Sequence, residues 1–156
     1  MAKYLFDIAG IDLSRVLYDQ EAVRRANPQR GEMEHLNGIV WADPQTGRII
    51  GYKDVRNDEF WVSCHIPGRP LLPGVLMIEC GAQLASFYTR TFDKWEGFIG
   101  FGGADDCKFR QAVSPGCRMY VLGQKLWERH RRIHCRVQGI VDGGIVFEAG
   151  ITGVQF

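Results

Sequence analysis

One long apolar segment constrains the fold of this chain more than any other feature of its sequence. Almost every side chain in residues 74–88 is apolar, and the run starts directly after Pro73, as helices often do. A helix that is apolar nearly all round is a buried one, because a surface helix carries a polar stripe. The rest of the chain must therefore wrap around this segment.

The same segment is a poor candidate for a membrane span. Pro73, Glu79 and Gln83 interrupt the apolar run of residues 71–88. A lone carboxylate near the middle of a lipid-exposed helix is costly, so burial inside a protein explains the run better.

Composition and the N-terminus predict a cytoplasmic globular protein. The five cysteines are an odd number without close pairs, which is typical of reduced thiols, and the first residues turn acidic too soon for a secretory leader. A formal net charge of +1 argues against a bulk electrostatic partner such as duplex DNA. At 156 residues the chain is about the size of one domain that can bury a core unaided.

The flanking sequence predicts short helices followed by many strands. Residues 12–27 read as one or two amphipathic helices, with Ser14 and Asp19 as caps and Asn27-Pro28 as the end. Residues 38–42 and 48–55 predict a hairpin. Further strands are predicted at residues 60–62, 98–101, 107–110, 118–128, 131–141 and 145–154.

These elements predict an α+β protein with the hot-dog fold, in which a long antiparallel β-sheet wraps around one central buried helix. We expect residues 1–156 to form one such domain. The alternative is an α+β sandwich with the helix on one open face of the sheet. That alternative expects a polar stripe on the helix, and residues 74–88 have none.

His65 and Glu79 are a candidate acid-base pair. His65 stands in a loop punctuated by proline and glycine, and a histidine titrates near neutral pH. Glu79 stands inside the apolar helix, where burial predicts a raised pKa and a carboxyl able to act as an acid. Alternatively, His65 is structural and Glu79 pairs with a basic residue or reaches solvent.

Gly74 and Gln83 are two further candidates on the same helix. Gly74 lies in the first turn, where backbone N–H groups lack intrahelical partners and could hold a polarised carbonyl. The turn alone could equally require this glycine. Gln83 follows Glu79 by one helical turn, so it could orient the carboxyl or a water, or merely satisfy a backbone group.

The segment from His65 to Gln83, HIPGRPLLPGVLMIECGAQ, closely resembles the active-site segment of the hot-dog 3-hydroxyacyl-ACP dehydratases of bacterial fatty acid synthesis, the FabZ type. The spacings from the histidine to the glycine and to the carboxylate both agree. Residues 28–30, 52–57 and 108–116 also resemble family segments, whereas residues 1–25 match only loosely.

The resemblance implies an activity and a role for each residue. His65 would remove the C2 proton of a (3R)-hydroxyacyl thioester, and Glu79 would protonate the departing C3 hydroxyl. The backbone N–H of Gly74 would polarise the thioester carbonyl. The product would be a trans-2-enoyl thioester, and the family requires neither metal nor cofactor.

The resemblance also implies an assembly and a substrate tunnel. In the family, the histidine of one subunit faces the carboxylate of the other, so a homodimer is the minimal active unit, and three dimers usually form a hexamer. The acyl chain would lie in an apolar tunnel at the dimer interface. The candidate substrate-binding residues are Val75, Met77, Ile78, Gln83 and Phe109; core packing explains the four apolar ones equally well.

Three positions depart from the family pattern. Cys64 replaces the usual glycine before the histidine, Cys117 replaces an aspartate, and Lys108 replaces an arginine. None of them belongs to the acid-base pair. The expectation that they affect is the geometry of the loops at the tunnel mouth.

The expected partner is an acidic acyl-carrier protein. A basic docking patch could come from Arg69, Lys108, Arg110, Arg129, Arg131, Arg132 and Arg136, although strand alternation would divide some of these between two faces. Two rival functions remain at this stage: a hot-dog acyl thioesterase and a non-catalytic acyl-binding subunit. The intact His65 and Glu79 pair argues against the second, and the loop spacing argues against the first.

Overall fold

A computed structural model describes residues 3–156 as one six-stranded antiparallel sheet with a long helix packed across it. The strand order is β1-β2-β4-β5-β6-β3. The elements are α1 (Gln20–Ala26), a 3-10 turn (Gly31–Met33), β1 (Gly38–Asp43), β2 (Arg48–Val55), α2 (Gly74–Thr91), β3 (Ile99–Phe109), β4 (Cys117–Arg129), β5 (Arg132–Val141) and β6 (Gly144–Gln155).

The centre of the sheet is a meander of long strands, as the sequence predicts. β4, β5 and β6 pair in succession, and the β5–β6 turn places Asp142 and Gly143 at positive φ angles of 49° and 79°. Two consecutive left-handed residues are the geometry of the tight hairpin turn that an Asp-Gly pair favours. Strand β3 lies at the edge of the sheet because, within residues 3–156, its only strand partner is β6.

Helix α2 packs against the sheet through a face of fully buried side chains. Met77, Cys80, Leu84 and Phe87 are all at most 3% exposed. Gly81 lets the helix approach β5 closely, since a Cβ at this position would lie 2.8 Å from a methyl of Val137. No helix within residues 3–156 is long and apolar enough to cross a membrane.

The predicted hot-dog arrangement is confirmed, but the helix is less enclosed than its composition predicts. One face of α2 remains open in the single chain: Val75 is 71% exposed, and Ile78, Glu79, Ala82 and Ser86 are half-buried. Because most side chains on this face are small or apolar, it has the character of a surface that another protein chain covers.

The opposite face of the sheet has its own smaller core. Phe6 packs there with Val40, Ile50, Leu122 and Ile140, so the N-terminal segment covers the outside of the sheet. The backbone N–H of Leu5 donates to the buried side chain of Gln138, 2.7 Å away, which fixes that segment.

Some local predictions were wrong. Residues 60–62 form turns and not a strand, because the backbone N–H of Val62 donates to the carbonyl of Glu59 and Trp61 buries its ring from a turn. Asp19 does cap α1, but Ser14 lies in a turn, where its hydroxyl donates to Asp12. The two predicted strands at 98–101 and 107–110 are a single strand, β3, with two register irregularities.

Candidate active site

His65 lies in an exposed loop whose path is fixed by backbone hydrogen bonds. Its own N–H donates to the carbonyl of Trp61 at 2.8 Å. Trp61 is only 1% exposed, so its buried ring anchors the turn that carries His65. Prolines 67, 70 and 73 follow and stiffen the connection to α2.

The ring of His65 has a defined tautomer. Its Nδ1 lies 2.8 Å from the carbonyl oxygen of Leu71. Since a carbonyl only accepts, Nδ1 must carry the proton, and the lone pair of the neutral ring is on Nε2. This is the state that a general base requires.

His65 lines a cavity of about 570 Å³ at the start of α2. Gly74 lies in the same cavity, within the first helical turn, where the helix dipole is positive. The structure brings four of the predicted substrate-binding residues to this cavity: Val75, Met77, Ile78 and Phe109. A base, a helix N-terminus and an apolar wall therefore lie together.

The backbone of Gly74 packs closely against the ring of Phe109 across the cavity. A Cβ at residue 74 would lie 2.7 Å from the ring of Phe109, a distance at which one of the two groups must move. The missing Cβ of Gly74 therefore allows the aromatic ring of Phe109, on β3, to pack directly against the N-terminus of the helix.

Glu79 is half-buried on α2 and its carboxylate is held by Gln83. The Nε2 of Gln83 donates to Glu79 Oε1 at 2.9 Å and to the carbonyl of Met33 at 2.6 Å. Its Oε1 accepts from the backbone N–H groups of His35 and Leu36. Gln83 is 2% exposed and its amide is fully engaged, which favours orientation of the carboxyl over direct contact with substrate.

Glu79 lines a second cavity of about 90 Å³ between α2 and the β3 end of the sheet. The sequence reasoning missed this cavity. Its helical wall consists of Glu79, Ala82, Ala85, Ser86 and Thr89, spaced three or four residues apart and therefore on one face. The sequence signal that could have predicted this cavity is the regular spacing of small side chains after Glu79. The sheet contributes Ile99, Gly100, Phe101, Ile133, Ile151, Thr152 and Gly153.

The candidate base, His65, and the candidate acid, Glu79, line different cavities of one chain. No residue of the wall around His65 also lines the cavity of Glu79. Each cavity by itself offers only half of the acid-base pair.

The fold is that of a hot-dog protein, and the two candidate residues of an acid-base pair, His65 and Glu79, line two separate cavities beside its central helix. Solved structures share the fold: the Dehydratase Heterocomplex ApeI:P from Xenorhabdus doucetiae matches with a TM-score of 0.72 at 16% identity, covering 86% of this chain and 90% of that chain. The TT0310 protein from Thermus thermophilus matches with a TM-score of 0.61, also at 16% identity, covering 82% of this chain and 100% of that chain.

The chain belongs to the FabA-like family, whose domain model matches residues 27–150. A 3-hydroxyacyl-[acyl-carrier-protein] dehydratase FabZ from Desulfotalea psychrophila is 33% identical over 125 residues, covering 78% of this chain and 83% of the relative. The FabZ of Polynucleobacter necessarius is 35% identical over 143 residues and covers 91% of both chains. The predicted dehydratase family is thus confirmed.

Proposed function

We propose that this protein dehydrates (3R)-hydroxyacyl-ACP to trans-2-enoyl-ACP in the synthesis of fatty acids or related lipids or polyketides. The observation that carries the proposal is the 2.8 Å contact between Nδ1 of His65 and the carbonyl oxygen of Leu71, which leaves Nε2 as the candidate base of a residue that lines a cavity at a helix N-terminus. The curated relatives are named for the same reaction.

Each candidate residue has one role in the reaction. His65 Nε2 takes a proton from C2 as the thioester carbonyl, held by the Gly74 N–H, gains negative charge. Glu79 donates a proton to the C3 hydroxyl, the C3–O bond breaks, and water leaves as the double bond forms. Gln83 holds the Glu79 carboxyl from one side throughout. The proton that His65 gained then passes to Glu79, directly or by exchange of one proton from His65 to solvent and one from solvent to Glu79, which restores both groups.

The complete site would form between two chains. Since His65 and Glu79 line separate cavities of one chain, the base of one chain would meet the acid of its partner. The edge strand β3 and the open face of α2 would supply the interface, which is rich in exposed apolar side chains: Val75, Phe98, Phe101 and Phe109. A trimer of such dimers would extend this assembly.

The acyl chain would run from the thioester near Gly74 into the cavities beside α2. Val75, Met77, Ile78 and Phe109 would contact its first carbons. Beyond Glu79, the wall of Ala82, Ser86 and Thr89 would receive the distal carbons.

The carrier protein would dock at the mouth of the His65 cavity. Arg69 is exposed in the loop after His65, and Arg110 lines the cavity itself. Arg110 is bound to Glu148, and Arg136 contacts Asp106, so these two cations are already partly neutralised. Arg69 forms none of the ion pairs found within residues 3–156, which makes it the leading candidate for a phosphate or carboxylate of the carrier.

The test is a product assay with purified protein and a 3-hydroxyacyl thioester. Dehydration produces the absorbance of a conjugated enoyl thioester without free thiol, and the reverse reaction hydrates an enoyl thioester. Release of thiol without that absorbance would replace this proposal with an acyl thioesterase. Binding of an acyl thioester without either reaction would indicate a non-catalytic subunit. A series of chain lengths on both ACP and CoA would then define the substrate.

A further inference from the structure

A buried ion pair lies between the two half-sites, and the proposed reaction does not use it. Lys53 on β2 is 1% exposed, and its ammonium is 2.6 Å from Glu59 Oε1, with a Glu59 side chain that is 7% exposed. Lysine is almost never fully buried unless it is paired, because removing its charge from water is costly.

From Lys53, one set of contacts leads to His65. Glu59 Oε2 accepts from the backbone N–H of Arg56 at 2.9 Å, which closes the turn after β2. The carbonyl of Glu59 accepts from the N–H of Val62, and the carbonyl of Trp61 accepts from the N–H of His65. The turns that carry the base are thus fastened to the interior of the protein at Lys53.

A second set of contacts leads from Lys53 to Glu79. Lys53 Nζ lies 3.3 Å from Nδ1 of His35, a residue that is 1% exposed. An ammonium only donates, so Nδ1 accepts and the neutral His35 ring carries its proton on Nε2. The backbone of His35 donates to Gln83, and Gln83 donates to Glu79.

Stability alone does not account for a lysine at this position. Replacing a buried ion pair with apolar side chains of similar volume is often neutral or stabilising, whereas removing one partner is strongly destabilising. An apolar pair would fill the same space without the desolvation cost. What it could not supply is a donor that simultaneously holds a carboxylate on the His65 side and an imidazole on the Glu79 side.

We propose that Lys53 is a positioning residue that holds both catalytic groups of its chain, His65 through Glu59 and Glu79 through His35 and Gln83. Its meaning for catalysis rests on the proposed function. If the sites are shared between subunits, the two groups belong to different active sites, so each Lys53 would support both sites of a dimer.

The first experiment replaces the pair without leaving a charge unpaired. In the double variant Lys53→Met/Glu59→Leu, we expect a thermal midpoint near that of the wild type but a kcat lowered between about tenfold and 100-fold, with KM changed by less than about twofold. Wild-type kcat in a folded double variant would overturn the proposal.

The matched control is another lysine–carboxylate pair on the sheet. Lys125 Nζ lies 3.0 Å from Asp93 Oδ2, with side chains that are 22% and 17% exposed. Lys125 also pairs with Glu128, whose side chain is 34% exposed and whose carboxylate keeps its hydrogen bond from Trp95. Lys125→Met/Asp93→Leu therefore removes a lysine–carboxylate pair away from both cavities without leaving a buried charge unpaired, and it should leave kcat within about twofold. An equal loss of kcat in both double variants would reduce the role of Lys53 to general structure.

A second variant covers the case in which the double variant does not fold. Glu59→Gln keeps the size of the side chain and an acceptor for Lys53, but it removes the charge. We expect a folded variant with a lower thermal midpoint, because Lys53 keeps an acceptor but loses its counter-charge, and a several-fold loss of kcat. Unchanged kcat would count against the proposal.

The next measurement requires no enzymatic activity, so it separates this proposal from the proposed function. With ¹⁵N-labelled histidine, the ring signals of His65, assigned by their loss in His65→Ala, should show the Nδ1–H tautomer in the wild type. In Lys53→Met/Glu59→Leu we expect a mixture of tautomers. An unchanged His65 spectrum would contradict the link from Lys53 to the base, whatever reaction the protein catalyses.

Mixed dimers test the two links separately. When a His65→Ala chain is paired with a Glu79→Gln chain, only one site retains both groups, with its acid from the first chain and its base from the second. Adding Lys53→Met/Glu59→Leu to the first chain tests the link to Glu79, and adding it to the second tests the link to His65. We expect reduced turnover in both arrangements, and full turnover in either would remove that link.

Discussion

The two half-sites are positioned in different ways. His65 is exposed, and backbone carbonyls on either side of it in the sequence, those of Trp61 and Leu71, fix its position. Glu79 is half-buried on a helix, and a buried side chain, Gln83, fixes its carboxyl.

This difference indicates which substitutions each half-site tolerates. Backbone hydrogen bonds survive most side-chain substitutions, so the exposed positions of the loop around His65 can vary in sequence as long as the buried side chains of Glu59 and Trp61 hold its turns. The carboxyl of Glu79 depends on one amide, whose four hydrogen bonds also fix residues 33–36. A single substitution there disturbs several groups at once.

The largest expected effect comes from the acid and the base themselves. His65→Ala and Glu79→Gln should each lower kcat between about 100-fold and 10,000-fold, the usual contribution of general acid-base catalysis. Enoyl absorbance measures the loss, and native mass should be unchanged. Mixing the two variants should restore part of the activity. Full activity in Glu79→Gln would remove the assigned acid, and no recovery after proven subunit exchange would count against a shared site.

Gln83→Leu tests the dependence of the acid on one side chain. We expect kcat to fall about 100-fold because the carboxyl loses its orientation, and the free energy of unfolding to fall by about 1–3 kcal/mol for each buried group left unpaired. Gln138→Leu is the matched control, because Gln138 is also 2% exposed and fully bonded but lies on the outer face of the sheet. Kinetics and urea unfolding of both variants decide whether the effect belongs to the site.

Acid pH should lower the stability of the contacts that position Glu79, because His35 belongs to them and becomes protonated. Burial, followed by the nearby charge of Lys53, lowers the pKa of His35 from 6.5 to about 4. Between those values the unfolded chain binds a proton that the folded chain does not, so stability falls by about 3 kcal/mol as the pH drops through this window. Urea unfolding at several pH values should show this slope in the wild type.

The control for that slope is His35→Gln, which cannot titrate. Its stability should depend less on pH between about 6.5 and 4. Carboxylates such as Glu34, whose pKa the hydrogen bond from Arg24 lowers from 4.5, begin to affect stability only at the acid end of this window and below it. Equal slopes in wild type and variant would show that His35 does not contribute.

Gly74→Ala tests the fit at the helix N-terminus. The new Cβ would clash with Phe109, so either the ring or the first turn of α2 must move. We expect kcat/KM to fall about tenfold, because small displacements of positioning groups are costly in catalysis. Phe109→Leu in the same chain should recover part of the loss. Phe109→Leu alone is the control, and no recovery in the double variant would mean that the clash is not the cause.

Cys64→Gly should have the smallest effect. Cys64 is exposed and its thiol donates only to the carbonyl of Phe60. The extra freedom of glycine in the unfolded chain should cost about 0.5–1 kcal/mol of stability, with kcat unchanged, if backbone bonds hold the loop. Thermal unfolding and kinetics check both parts. A large loss of kcat would mean that the Cys64 side chain also positions His65.

The sequence predicted the central elements well because their patterns are local and strong. The apolar run that predicts α2 and the three long strands predicted at residues 118–128, 131–141 and 145–154 match the structure. The strand predicted at residues 60–62 failed because a buried aromatic residue is equally compatible with a turn, and only the turn hydrogen bonds distinguish the two.

The buried polar groups could not be predicted in this way. Lys53 lies between Tyr52 and Asp54 in a strand where a charged residue normally indicates solvent, and its partner Glu59 lies in a separate turn. Likewise, the sequence predicted two short strands at residues 98–101 and 107–110, although the structure has one strand, β3, with two register irregularities. These features depend on contacts between distant residues, which local pattern does not encode.

The pairing of β3 with β6 has a consequence for how the protein is made. β3 supplies one wall of the Glu79 cavity, yet its partner strand follows only after β4 and β5, as the pairing of Ile99 with Gln155 requires. During synthesis, β3 therefore stays unpaired until β4, β5 and β6 have been made, and Phe98 and Phe101 are exposed during that time. Such non-local pairing is slow, and an unpaired apolar strand is prone to aggregate. Chaperones that shield a growing chain should therefore raise the yield of active protein, while the stability of the folded protein changes less.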